Sequence, residues 1–296
     1  MKAKQYLATM IWFMLAASAA RAGTIVLDDF SAYDSSANSY GQSLNGQSAS
    51  VSGYDGAWYG PYTAANDPAD PTARFQLVTP EQVARVGKRG NLSADGYIQR
   101  NLAAGGTNVP ETSEFWLSAT MRCDVLHADQ ANPVWVAMVM GSNATFAGFG
   151  FKQDGGVVRP WAAYGTIGNG EYGTGMYTLG DTVRFVARLE KDIDGWGSEE
   201  RLTVWLDPAG PTSTPFAVLD SWNLLSSHRE LEAVRLHAPT TYAVSDGTVR
   251  AYDYTVGEVA VGGTYWSVVP EPATMALLGL GSLALIRCRR KETFRQ

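Results

Sequence analysis

Glu190, Asp192 and Asp194 alternate in the run Glu190-Lys191-Asp192-Ile193-Asp194, so an extended chain would point all three carboxyls to one side. Two carboxylates ~5 Å apart serve a retaining glycosidase as nucleophile and acid/base. This run departs from that arrangement twice: Lys191 places a charge in a spacer position, and Gly195 follows Asp194 at once, which ends the strand. A solvated connection between strands is the better reading, and no catalytic residue is assigned. Asp192 and Asp194, with Glu199 or Glu200, could also offer oxygens to calcium. An EF-hand loop needs acids at its first, third and fifth positions before its glycine, and Gly195 comes too early for that pattern.

Other catalytic signatures are missing. His127, His228 and His237 form no H-E-x-x-H and no Cys/His ligand spacing. There is neither a G-x-S-x-G elbow nor a P-loop. Gly168-x-Gly170-x-x-Gly173 matches a dinucleotide fingerprint in letters alone, because no helical pattern follows it. The chain is therefore expected to be no enzyme and to need no cofactor, with calcium at Asp192 and Asp194 as the one candidate metal. Aromatic side chains remain. Sugar rings are apolar on their faces and polar at their edges, so a saccharide site needs aromatic platforms beside hydrogen-bonding groups. Trp161, Tyr164 and Tyr172, with Tyr177, surround the glycine-rich stretch 165–175 and are the candidate carbohydrate contacts. Trp58, Tyr59 and Tyr62 form a second group near Asp55 and Asn66.

The elements that must position these residues are strands. Phe115, Leu117, Ala119, Met121 and Cys123 alternate with Ser118, Thr120, Arg122 and Asp124, which is a half-buried strand and no helical face. Val183–Leu189 and Leu202–Leu206 repeat the pattern on either side of the polar segment 191–200, predicting a hairpin with a long connection. Further strands are expected at 24–30, 73–78, 96–102, 134–140, 146–152, 157–163, 231–236 and 248–261, with a short one near 216–219. Only 80–85 and 219–227 have room for a turn or two of helix, since 31 glycines punctuate the chain. Cys123, on the apolar face of its strand, reads as a small buried hydrophobe. Without a βαβ rhythm, strands that each bury one face predict an all-β fold, an antiparallel β-sandwich.

Both ends carry address labels. Lys2 and Lys4 precede an apolar run from Tyr6 to Ala20 that ends in Ala20-Arg21-Ala22 before Gly23. That is a signal peptide, residues 1–22, with cleavage between Ala22 and Gly23. At the other end Pro270-Glu271-Pro272 leads into an apolar run, 274–286, and then the basic cluster Arg287, Arg289, Arg290 and Lys291. This order resembles the PEP-CTERM sorting signal. The resemblance implies recognition by an exosortase-type membrane protease, a transmembrane helix that anchors the precursor transiently in the inner membrane, and delivery to the cell surface or extracellular matrix. The domains are then 1–22, an extracellular β-sandwich over 23–269, and the sorting signal over 270–296. With the leader and tail set aside, 15 basic residues face 27 acidic ones, a net charge of −12. Nucleic acid and anionic surfaces are poor partners for such a body.

The hairpin, the short strand after it, and a late strand running into Gly262–Val269 are similar to laminin-G-like or concanavalin-like jelly rolls. That resemblance implies a last strand closing beside the first, with 24–30 pairing around 256–266. The expected function is a non-enzymatic surface or exopolysaccharide-matrix protein. The alternatives are a carbohydrate-binding lectin-like module partnered by extracellular polysaccharide, and a jelly-roll glycoside hydrolase.

Overall fold

The structure, a computed structural model, describes residues 24–30, 42–43, 51, 53–59, 75–78, 83–87, 96–103, 114–126, 133–140, 145–164, 170–190, 200–220, 231–238 and 252–269. The alternating runs pair into two antiparallel sheets. Nine strands form the first. From edge to edge it runs β14 (Ala217–Asp220), β13 (Arg201–Leu206), β12 (Thr182–Glu190), β7 (Glu114–Leu126), β16 (Tyr252–Gly262), β5 (Val83–Gly87), β4 (Phe75–Val78) and β2 (Gln42–Ser43). β16 is long enough to hold two neighbours on one edge: β5 pairs with Asp253–Val256, and β1 (Thr24–Asp28) pairs with Val259–Gly262. The seven-stranded sheet runs β11 (Gly170–Tyr172), β10 (Val157–Tyr164), β9 (Thr145–Asp154), β8 (Val134–Met140), β15 (Leu231–Ala238), β6 (Gly96–Leu102) and β3 (Tyr54–Tyr59). This is the expected antiparallel sandwich, with the first strand closing beside the last.

The core lies between the sheets because each contributes one apolar face. Phe149 of β9 stacks on Phe185 of β12 at 5.0 Å, and Phe151 meets the same ring edge-on at 5.2 Å. Tyr254 of β16 crosses the core to donate its hydroxyl to the His237 carbonyl of β15. A buried ion pair also joins the layers: Arg100 of β6 lies 3.8 Å from Asp28 of β1, and Asp28 accepts from the Phe30 amide. Such a pair fixes registry between elements more than it adds stability. Cys123 is fully buried, and burial pushes its thiol well above the ordinary value.

Some expectations change. Of the stretch 80–85 that had room for a helical turn, 83–85 belong to β5, which pairs with β4 and β16, while 80–82 lie outside the described residues. Leu219 of the other expected helix belongs to β14, while 221–227 lie outside the described residues. The late strand stops at Gly262, and Tyr265–Val268 make a single helical turn, α1. Thr264 caps it: its side chain accepts from the Ser267 amide and the Ser267 hydroxyl accepts from the Thr264 amide. Both expected flanking helices, with Ala22, Gly23, Pro270, Glu271, Pro272, Arg287, Arg289, Arg290 and Lys291, lie outside the described residues. Among the described residues no helix is long and apolar enough to cross a membrane.

Candidate functional site

Strand register lays two adjacent rows of side chains across the outer face of the seven-stranded sheet. In one, Tyr97, His237, Trp135, Gly150, Trp161 and Tyr172 stand directly opposite one another on β6, β15, β8, β9, β10 and β11. The other, one pleat along, runs Tyr59, Gln99, Arg235, Ala137, Gly148, Ala163 and Gly170 from β3 to β11. These residues point away from the core because their chain neighbours Val136, Phe149, Ala162 and Leu236 point into it. At ~4.8 Å per strand, seven strands carry the second row over roughly 29 Å.

The middle of the face is apolar and closed. Trp135 packs edge-on against Phe146 at 4.6 Å and against Trp161 at 5.7 Å, and both indoles are buried. Small residues beneath make this packing feasible. A Cβ on Gly170 would run into the Trp161 ring, and one on Gly150 would collide with the Val134 carbonyl and come within 2.7 Å of Trp135 Cα. Trp135 Nε1, Trp161 Nε1 and His237 Nδ1 are all buried without a hydrogen-bond partner. Burial, aided by the Arg235 charge, lowers His237 to about 3, so its imidazole is neutral.

The β15–β6–β3 end is polar and opens to solvent. Arg235 stacks its guanidinium 3.7 Å from the Tyr97 ring centroid and donates through Nε and Nη2 to Gln99 Oε1, at 3.1 and 2.6 Å. Gln99 in turn donates through Nε2 to the Tyr59 hydroxyl, and Tyr59 donates to Asn101 Oδ1 at 2.8 Å. The relay thus passes from a cation buried in the sheet to an exposed edge, where Tyr59 is 42% exposed and Asn101 is exposed. Burial depresses Arg235 from its ordinary value, although a guanidinium keeps its charge at any physiological pH. At the opposite edge Lys152 Nζ sits 5.5 Å from the Trp161 ring and 5.4 Å from Tyr172.

The structure separates the three aromatic residues expected to touch carbohydrate. Trp161 is on the outer face but closed off, because it leans onto Gly170 and is packed by Trp135. Tyr164 points the other way, into the core, where its hydroxyl donates to buried Glu200 at 2.7 Å and burial raises its pKa. Only half-buried Tyr172 keeps an outward position, donating to the Gln153 carbonyl. Tyr177 is internal; it accepts from the Cys123 amide, and burial pushes it up to about 12. Glu190 lies on the outer face of the other sheet, held by Arg188 at 2.9 Å. Asp192 and Asp194 lie outside the described residues, and among the described residues no group of acids, histidines or cysteines could hold a metal ion. Tyr97, Gln99, Asn101 and Arg235 were not singled out in the sequence, although the alternation of 96–102 contains the first three.

Part of the outer face of the nine-stranded sheet, around Trp116 and Trp205, is covered by α1. Trp116 of β7 and Trp205 of β13 stack at 5.5 Å, and Tyr265 of α1 meets Trp116 edge-on at 5.5 Å. The Tyr265 hydroxyl donates to the Pro208 carbonyl, and the Ser118 hydroxyl donates to the Val268 carbonyl at 2.6 Å. Val268 and Val269 are buried there with Val186 and Ala260.

The PEP-CTERM protein-sorting motif matches residues 268–291. No curated protein matches the chain. Among solved structures, an alginate lyase, Aly36B, is 11% identical with a TM-score of 0.44 over 75% of this chain and 95% of its own. An endo-1,3-beta-glucanase from Streptomyces sioyaensis is 11% identical with a TM-score of 0.44 over 64% of this chain and 78% of its own. The binding domain of botulinum neurotoxin serotype D/C is 8% identical with a TM-score of 0.44 over 76% of this chain and 49% of that one. These are likenesses of fold. By its own two antiparallel sheets the chain is a β-sandwich, and it carries a PEP-CTERM sorting motif. The motif implies an exported protein whose membrane-anchored precursor is processed by an exosortase.

Proposed function

We propose that this chain is a non-enzymatic surface or matrix protein that binds extracellular polysaccharide across the outer face of its seven-stranded sheet. The observation that carries the reading is the relay from buried Arg235 and Gln99 to exposed Tyr59 and Asn101, beside the half-buried Tyr97 ring, which brings hydrogen-bonding groups and aromatic surface together at the β3–β6 edge. Sugar hydroxyls exchange readily with such carboxamide and phenol groups, and pyranose faces stack on tyrosine. The export implied by the sorting motif supports the reading, because it delivers the strip to a place where polysaccharide is the abundant polymer. Affinity electrophoresis of the full chain in detergent, through gels containing extracellular polysaccharides, tests it. Retardation that is lost in Tyr59→Ala/Asn101→Ala is expected. Unchanged mobility in every polysaccharide would remove the binding role, and release of shortened saccharides would remove the non-enzymatic one.

A further inference from the structure

We infer that the outer face of the nine-stranded sheet around α1 is a membrane-contact surface, resting on the lipid headgroups of the anchored precursor with Trp266 at the interface. The sorting motif begins at residue 268, yet Val268 and Val269 are buried parts of the fold. The folded domain therefore reaches into the motif, with no slack before it. From Val269 to Thr274, where the apolar run starts, the chain has five Cα-to-Cα steps, about 17 Å when fully extended. Each headgroup layer takes up roughly 6 Å of that. What is left, about 10 Å, is the width of one helix. The turn that ends at Val269 is therefore held within about one helix width of the headgroups.

The surface at the exit point suits that neighbour. Trp266 is 42% exposed, next to the clamped Tyr265, and tryptophan is the residue that partitions to the headgroup level. The body carries a large negative charge, but cations on this face sit against carboxylates. Arg122 pairs with Asp124 at 3.0 Å, Arg184 with Glu258 at 3.2 Å and Arg188 with Glu190 at 2.9 Å, and Arg201 pairs with Asp220. This face thus meets anionic lipid with less repulsion than the mean charge suggests. The opposite sheet, with its polar relay, then points away from the membrane.

The test uses the full chain in liposomes, with Cys288→Ser and one reporter cysteine, Trp266→Cys or Asn101→Cys, carrying an environment-sensitive dye. Both sites are exposed, and buried Cys123 does not compete for label. The inference expects a lipid-borne quencher at headgroup depth to remove about half the emission from position 266 and almost none from position 101. Trp266→Cys emission that stays water-like while the anchor is inserted overturns it. So does shielding that appears only when the processing protease is co-reconstituted, which would make a protein the occupant.

Discussion

Truncating Tyr265 tests whether α1 is a clamp or only a resting place. Its ring is 4% exposed and packed edge-on against Trp116, and its hydroxyl reaches the Pro208 carbonyl at 3.1 Å. Replacing a buried aromatic by alanine costs ~3–5 kcal/mol, and on a face shared with exposed Trp266 the lower end applies, about 3 kcal/mol. α1 is a terminal turn, so the loss appears mainly as local opening. At about 1.4 kcal/mol per tenfold, the opening equilibrium rises roughly 100-fold. Tyr265→Phe keeps the ring and loses one hydrogen bond, about 1 kcal/mol or roughly fivefold. Amide hydrogen exchange reads this directly, because the Ser267 amide is bound to Thr264 Oγ1 and the Val269 amide to the Tyr265 carbonyl. Both amides should exchange faster in the order wild type, Tyr265→Phe, Tyr265→Ala, while Phe185 in the core stays protected. If Ser267 and Val269 exchange equally in all three, the aromatic cluster does not hold the exit point, and the membrane geometry built on it fails.

Gly150→Ala should cost about 3 kcal/mol or more, since its Cβ would meet the β8 backbone instead of a side chain that could swing away; a melting curve should fall by roughly 6–12 °C. Cys123 keeps its proton when folded and sheds it above pH ~9 when unfolded, so stability should fall above pH 9 by up to ~1.4 kcal/mol per unit. Denaturant titrations of Cys123→Ala between pH 9 and 10, compared with wild type, should show that slope reduced. His237 does the reverse: the unfolded chain takes a proton below pH ~6.5 that the folded imidazole refuses until about 3. Stability is therefore lost as pH falls from 6.5, by about 2 kcal/mol at pH 5, and His237→Phe should flatten that limb.

Strand identity was legible wherever one face is buried and the other wet, because alternation then appears in the letters, as in 114–126 and 182–190. It was hardest to read in β2, β3, β5 and β11, which are short or edge-bound and rely on partners far off in sequence. Residues 83–85, which had room for a helical turn, belong to β5, whose pairing with β16 residues 253–256 is a contact no local window contains. The site was legible only in part for a related reason. Trp161 and Tyr172 do stand side by side on the outer face, but exposure depends on what neighbouring strands bring over them, and Trp135 lies 26 residues upstream of Trp161. Tyr164 was misplaced by an odd number of positions: three residues after Trp161, it must face the core. The polar relay joins β3, β6 and β15, so its proximity is created by folding.

Part of the outer face of the nine-stranded sheet is occupied by α1, fixed by Ser118 and Trp116 of β7 and by Pro208 beyond β13. Such a clamp has a consequence for processing. Cleavage beyond Val269 is the expected outcome, checked by C-terminal sequencing of the processed protein, because drawing Val268 and Val269 out of their site would strip the Ser118 bond and expose two buried side chains, several kcal/mol at typical values. The released domain therefore keeps its cap, and the apolar strip of Trp116, Trp205 and Val186 stays covered after the anchor is gone. A sandwich that relied on the anchor to cover that strip would be released with an adhesive patch. One that carries its cover inside the cleavage point keeps that strip buried.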